Sequence, residues 1–253
     1  MERSAADRIN FQIHLEILKR YLQTGMNVLE IGPGPGRFTI PMAEMGAQLT
    51  LADISKTQLD LNDERIKEAG LQSNIVARHQ LDIINLEIFG DNSFDLSTAF
   101  GGLISYVFDR RSNALKEMLR VTKNGGYVLF SVMSKWGSTQ LLLPEVLAVL
   151  DHYDLATVAE ILQSGNLHQQ IKAQHRLHMY SSQELRHLIE SLDCEFIEMS
   201  ASGFLSYQNN LDLEGKWDDL VFWPAFLEWE IEASRQPGDL DAASHIIAVI
   251  RKP

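Results

Sequence analysis

The residues best placed to do chemistry lie in one stretch, Val28-Leu-Glu-Ile-Gly-Pro-Gly-Pro-Gly-Arg-Phe-Thr39. Glycines at 32, 34 and 36 let a ligand reach the main chain without meeting a Cβ. A helix beginning just after them presents free N–H groups to the same space. Spacing narrows the ligand. The dinucleotide fingerprint places its third glycine three residues after the second, which here is Arg37. A phosphate loop needs Gly-Lys-Ser/Thr after the turn, and none follows. Glu30 sits inside the apolar strand that leads into the loop, where a carboxylate must be hydrogen-bonded or touch a ligand. Asp53 comes 17 residues after Gly36, at the end of the next strand pattern. There a carboxylate can accept hydrogen bonds from a ribose diol. This arrangement also serves NAD enzymes, so Asp53 indicates an adenosine ligand without choosing the cofactor. A third acid, Asp82, follows in Gln80-Leu-Asp-Ile83. It either meets the ligand or closes a turn.

These groups need a scaffold that gathers strand ends. Ile9, Ile13, Ile17 and Tyr21 recur every four residues and predict a helix over 5–22, closed at Thr24-Gly25. Strands are expected at 27–31, 48–52, 74–78, 94–100 and 127–132. Helices fall between them, over 37–46, from a Ser55 cap to Ala69, and over 113–121. Asn124-Gly125-Gly126 reads as the turn into the fifth strand. Alternation of this kind predicts an α/β fold with a parallel sheet and crossover helices. The rhythm changes after Met133: residues 138–165 read as mainly helical, Ser181 to Glu184 as a capping box, 194–199 and 245–250 as strands. The expectation is one domain over 1–253, with inserted segments at about 134–179 and 203–243.

The run Glu30-x-Gly32-x-Gly34-x-Gly36, followed by Asp53 and then Asp82, resembles the first motifs of class I S-adenosylmethionine-dependent methyltransferases. Phe94-Asp-Leu96 to Phe100-Gly-Gly102 and Leu119-Arg-Val-Thr-Lys-Asn-Gly-Gly126 resemble that family's later motifs. The family commonly has proline before the paired glycines, where this chain has Asn124. The resemblance runs from Val28 to Val132 and returns at Tyr180–Met199 and His245–Ile250. It implies a Rossmann-like doubly wound, mostly parallel seven-stranded sheet with helical cap insertions. It also implies S-adenosyl-L-methionine as cofactor, S-adenosyl-L-homocysteine as product, and no metal. On this basis Glu30, Gly32, Gly34, Gly36, Asp53, Ile54, Asp82, Ile83 and Phe100 are the cofactor-binding candidates. Ile54 and Ile83 would sandwich the adenine and Asp82 would meet its amino group. Tyr106, His178 and Trp223 are the acceptor-side candidates.

Several of these residues have plainer readings. Arg37 is either a carboxylate clamp or a solvated first-turn residue, and Tyr106 either lines the path of the methyl group or simply packs. His79, His175, His178 and His245 each suit a surface or hydrogen-bonded role better than a general base. Cys194 reads as a packed strand residue. Trp217, Phe222, Trp223, Phe226 and Trp229 form either a lining for the acceptor or an apolar stripe that docks the second insert.

Composition bounds the function. The chain has 253 residues, 45% hydrophobic, with a formal charge of −12. So acidic a surface disfavours a phosphate backbone, which argues against nucleic acid and for a neutral or cationic small molecule or a peptide. No apolar run approaches the roughly 20 residues needed to span a bilayer, and no secretory signal is expected. A single cysteine excludes an internal disulfide and fits a reducing cytoplasm. No feature sets an oligomeric state. Three function classes follow: a methyltransferase acting on N or O of a small molecule, a peptide or protein methyltransferase, and a protein that binds the cofactor without turnover.

Overall fold

A computed structural model describes residues 4–141, 155–167, 176–208 and 210–253. Its main sheet is formed by β1 (Asn27–Ile31), β2 (Gln48–Asp53), β3 (Ile75–Gln80), β4 (Phe94–Ala99), β5 (Thr122–Met133), β8 (Glu195–Ala201) and β9 (His245–Arg251). Their order is β3-β2-β1-β4-β5-β9-β8. The first five pair in parallel. β9 runs the other way, since Gly125 N–H meets Lys252 O near one end of β5 and Ser134 N–H meets Ser244 O beyond the other. The chain therefore has the expected α/β, Rossmann-like sheet.

The chain divides into two compact units. One comprises Ile17–Ser131, His187–Glu198 and Ala248–Pro253. It holds α2 (Thr39–Glu44), α3 (Lys56–Glu68), α4 (Leu103–Tyr106) and α5 (Arg111–Val121), and the C-terminal part of α1 (Ala5–Tyr21). β1 and β2 are buried along nearly their whole length, as strands covered on both faces must be. Ser55 caps α3 by accepting the Gln58 N–H, at 3.4 Å. The helix expected over 37–46 is shorter, because the chain turns until Phe38 before α2 begins. Asn124-Gly125-Gly126 is not a turn between elements. It lies inside the twelve-residue β5, where the register against β4 slips between Phe94 and Leu96. Bonds to both sides of Lys252 hold the segment extended, and Gly125 takes φ +77° to make the bulge.

The other unit comprises Met1–Glu16, Val132–Arg186 and Met199–Ile247, and so contains both expected inserts. Its elements are α6 (Lys135–Leu141), α7 (Leu155–Ser164), the start of α8 (Ser182–Glu190), α9 (Leu205–Gln208), α10 (Asn210–Leu213) and α11 (Phe222–Ala233). A two-stranded antiparallel pair, β6 (Asn166–Leu167) with β7 (Leu177–His178), escapes the sequence pattern because each strand has only two residues. α11 is organised around buried Glu230, whose carboxylate accepts the N–H groups of Phe204, Leu205 and Ser206 at the start of α9.

The bulge in β5 is tight. A Cβ on Gly126 would stand 2.7 Å from Asp95 O and 2.9 Å from Lys123 O, both backbone atoms that cannot swing away. Gly125→Ala meets only the end of the Arg251 side chain and the cost of its φ. Gly126→Ala should lose about 2–3 kcal/mol in urea unfolding, and Gly125→Ala about 1 kcal/mol. Equal losses would mean that conformation rather than space sets the first value.

Candidate functional site

Parallel register brings the candidate residues to one edge of the sheet. Ile31 pairs with Ala52, Glu30 with both Leu51 and Thr98, and Asp53 with Gln80. Gly32 N–H donates to Ala52 O at 2.7 Å, and Leu81 N–H to Asp53 O at 3.0 Å. The glycine loop, Asp53, Asp82 with Ile83, and Phe100 thus leave the C-terminal tips of β1, β2, β3 and β4. In an open α/β sheet, ligands bind at this edge.

The loop is built for close approach. Gly32, Gly34 and Gly36 all take positive φ, at +68°, +50° and +97°. A Cβ on Gly32 would press Leu103 Cδ2 at 3.2 Å, and one on Gly36 would press Asn62 Nδ2 at 3.3 Å. Gly34 has only Gln58 Oε1 nearby, at 3.9 Å, and Gly101, beyond the tip of β4, has nothing within 4 Å. The backbone there borders space that side chains would otherwise fill. Asp53 is anchored beneath it. Oδ2 accepts Gly34 N–H at 3.4 Å and Oδ1 accepts Ser55 N–H at 2.8 Å. Each oxygen retains a lone pair for a further donor. A bare backbone loop with a fixed carboxylate beside it fits the ribose of an adenosine cofactor and a group lying close over the main chain.

Glu30 heads a buried polar chain. Thr39 Oγ1 donates to Glu30 Oε2 at 2.6 Å, and Asn62 Nδ2 donates to Thr39 Oγ1 at 3.0 Å. Burial pushes the Glu30 carboxyl up to about 8; the Thr39 bond opposes that rise and the charge of Asp53 adds to it. Thr39 and Asn62 are not legible in the sequence as partners of Glu30. Their one signal was an uncharged polar residue at a buried helix position, meaningful only once a partner is known.

The other candidates are distributed as follows. Ile54 is 67% exposed at the tip of β2, while Ile83 is buried. Asp82 Oδ1 accepts Ile84 N–H at 3.2 Å, so it does close a turn. Phe100 is buried against Phe38, ring centres 4.8 Å apart. Tyr106 ends α4 half-exposed, and burial raises its hydroxyl pKa. Arg37 is exposed. His79 lies edge-on to Phe89, and His245 Nδ1 meets Ser244 Oγ at 2.8 Å. Cys194 is half-buried. His175 lies outside the described residues.

His178 and Trp223 belong to the other unit. Both His178 nitrogens are engaged: Nδ1 with Asn166 Oδ1 and Nε2 with Glu184 Oε1, each at 2.6 Å. Ser181 Oγ accepts Glu184 N–H, one half of the expected capping box, while the Glu184 carboxylate turns to the histidine. Trp223 is buried, donates Nε1–H to Gln12 Oε1 at 3.0 Å, and lies under the Arg8 guanidinium at 5.3 Å. Among the described residues no group of three or more His, Cys, Asp or Glu is poised to hold a metal, and no helix is long and apolar enough to cross a membrane.

Residues 29–130 match a family model described as a methyltransferase domain. Among solved structures, an S-adenosylmethionine-dependent methyltransferase from Methanosarcina mazei is 18% identical, with TM-score 0.62, over 93% of this chain and 96% of that one. One from Mesorhizobium loti is 14% identical, with TM-score 0.61, over 95% and 98%. The [4+2]-cyclase SpnF is 17% identical, with TM-score 0.59, over 96% and 81%. No curated protein matches the chain by sequence.

Glu30 makes stability depend on pH. Its folded value of about 8 exceeds the ordinary 4.5, so the folded chain keeps a proton that the unfolded chain releases. Stability should therefore fall as pH rises between those two values. Glu30→Gln removes the effect: urea unfolding should show the variant gaining on wild type by up to about 1.4 kcal/mol per pH unit across that window. A constant difference would show that Glu30 is ionised throughout.

Proposed function

We infer that this chain, a class I S-adenosylmethionine-dependent methyltransferase, transfers a methyl group to a nitrogen or oxygen of a small molecule. The observation that carries this reading is the glycine loop and Asp53 at adjacent strand tips, joined by the Gly34–Asp53 bond. When bound, S-adenosylmethionine supplies an electrophilic methyl on a sulfonium whose charge activates the leaving thioether. The chain's own task is then to hold two reactants aligned and dry. Asp53 accepts the ribose hydroxyls, the loop backbone receives the methionine end, and Ile54 with Ile83 flanks the adenine. Asp82, beside Ile83, accepts from the adenine amino group, and Phe100 backs the cleft.

The acceptor is small and neutral or cationic, in keeping with the acidic chain. A neutral amine needs little base assistance, whereas a hydroxyl usually needs a proton removed. With both nitrogens engaged at short distance, His178 is a poor free base in the arrangement described. The Trp223 N–H is likewise engaged by Gln12. Tyr106, half-exposed just past β4, is the better acceptor-side residue. We assign acceptor choice to the segments 134–179 and 203–243. One observation favours a second reading: a chain described as a cyclase shares this fold, so the fold does not by itself require methyl transfer.

Three measurements test this. By calorimetry wild type should bind S-adenosylhomocysteine, and Asp53→Ala should lose about 1.5–3 kcal/mol as charge-assisted hydrogen bonds disappear. Unchanged affinity in the variant would show that the ribose anchor lies elsewhere. Methyl label from the cofactor should appear on a panel of small amines and phenols; cofactor binding with no labelled product would favour the second reading. Exchanging residues 134–179 should alter acceptor choice and leave cofactor affinity within about twofold, a difference of about 0.4 kcal/mol. Loss of both in a folded variant would end the assignment of that segment.

A further inference from the structure

We propose that Glu30 discriminates the cationic methyl donor from its neutral product, by releasing its proton to solvent when the donor binds. The inference rests on the functional reading above, and its argument begins with geometry. Glu30 lies two residues before the first loop glycine, in a strand whose neighbours on both sides are buried. The groups bonded to it and behind them are uncharged. Thr39 from α2 donates to it, Asn62 from α3 supports Thr39, and Thr98 on β4 is its register partner. Asp53 from β2 is the charged group that acts on it, and it disfavours ionisation.

The hydrogen-bond chain nevertheless points one way. Asn62 donates to Thr39 and Thr39 to Glu30, so the donors are already oriented for a carboxylate. Burial and Asp53 keep the group protonated near neutral pH while the donors stand ready for its anion. A positive charge arriving at the loop tips that balance. The methyl donor carries a fixed positive charge at sulfur, which the thioether product lacks. Both ligands share the amino and carboxylate groups of the methionine end, so the sulfonium is the difference that Glu30 can read. Ionisation strengthens its attraction to the donor, and reprotonation after transfer weakens retention of the product.

Calorimetry near neutral pH, in buffers of different ionisation enthalpy, counts the protons released on binding. Wild type should release a larger fraction of a proton with S-adenosylmethionine than with S-adenosylhomocysteine. Donor affinity should climb by up to about tenfold per pH unit below about pH 8 and level above it, with product affinity flatter. Glu30→Gln should release the same small amount with both ligands, and its donor-to-product affinity ratio should fall several-fold. That subtraction also removes any contribution from the ligands' own amino groups. Thr39→Val, which deletes the donor to the carboxylate, should shift the levelling point to higher pH. Equal proton release with the two ligands in wild type, or an unchanged affinity ratio in Glu30→Gln, would overturn the proposal. Failure of wild type to bind either ligand would instead sink the functional reading itself.

Discussion

A carboxylate at the rim of an apolar sheet is costly unless donors meet it, and here main-chain amides do. Gly34 N–H and Ser55 N–H hold the two oxygens of Asp53, while Asp53 O receives Leu81 N–H. One residue thus ties the loop after β1 to the start of α3 and to the chain leaving β3. The strand tips become a single surface because these bonds cross between them. The loop can take part because Gly34 reaches φ +50° with open space beside it. A side chain there would both strain the backbone and fill the approach.

The same edge of the sheet carries two acids treated in opposite ways. Asp53 faces backbone donors at the rim, whereas Glu30 is sunk in β1 with a hydroxyl and an amide behind it. Burial, with the charge of Asp53 nearby, pushes the second up to about 8. A group that prefers neutrality where the unfolded chain would ionise it lowers stability as pH rises toward about 8.

The unit containing residues 132–186 and 199–247 uses its polar aromatics for internal order. His178 is locked between Asn166 and Glu184, and Trp223 is held by Gln12 and Arg8. Groups that look chemically able in a sequence are often those that fold most needs, because a buried N–H must find an acceptor. The aromatic stripe of α11, Phe222 to Trp229, is buried only in part. Phe226 and Trp223 are buried, while Trp229 remains 54% exposed.

By itself the sequence determined the strand order along the chain, the glycine loop, and the acids that end the strands, because period and glycine spacing are local properties. Ser55 as a cap and Glu30 as a buried acid could be read for the same reason. It misread Asn124-Gly125-Gly126 as a turn and did not find Thr39, Asn62 or the pairing of 166–167 with 177–178. A bulge is defined by the partner strand, a hydrogen-bond chain by residues up to 23 positions apart, and a two-residue strand by nothing but its neighbour. Tertiary structure alone decided which polar groups gather at the C-terminal edge of the parallel strands and which are engaged elsewhere. Hydrogen-bond partners are chosen in space, and a linear pattern carries no distance between them.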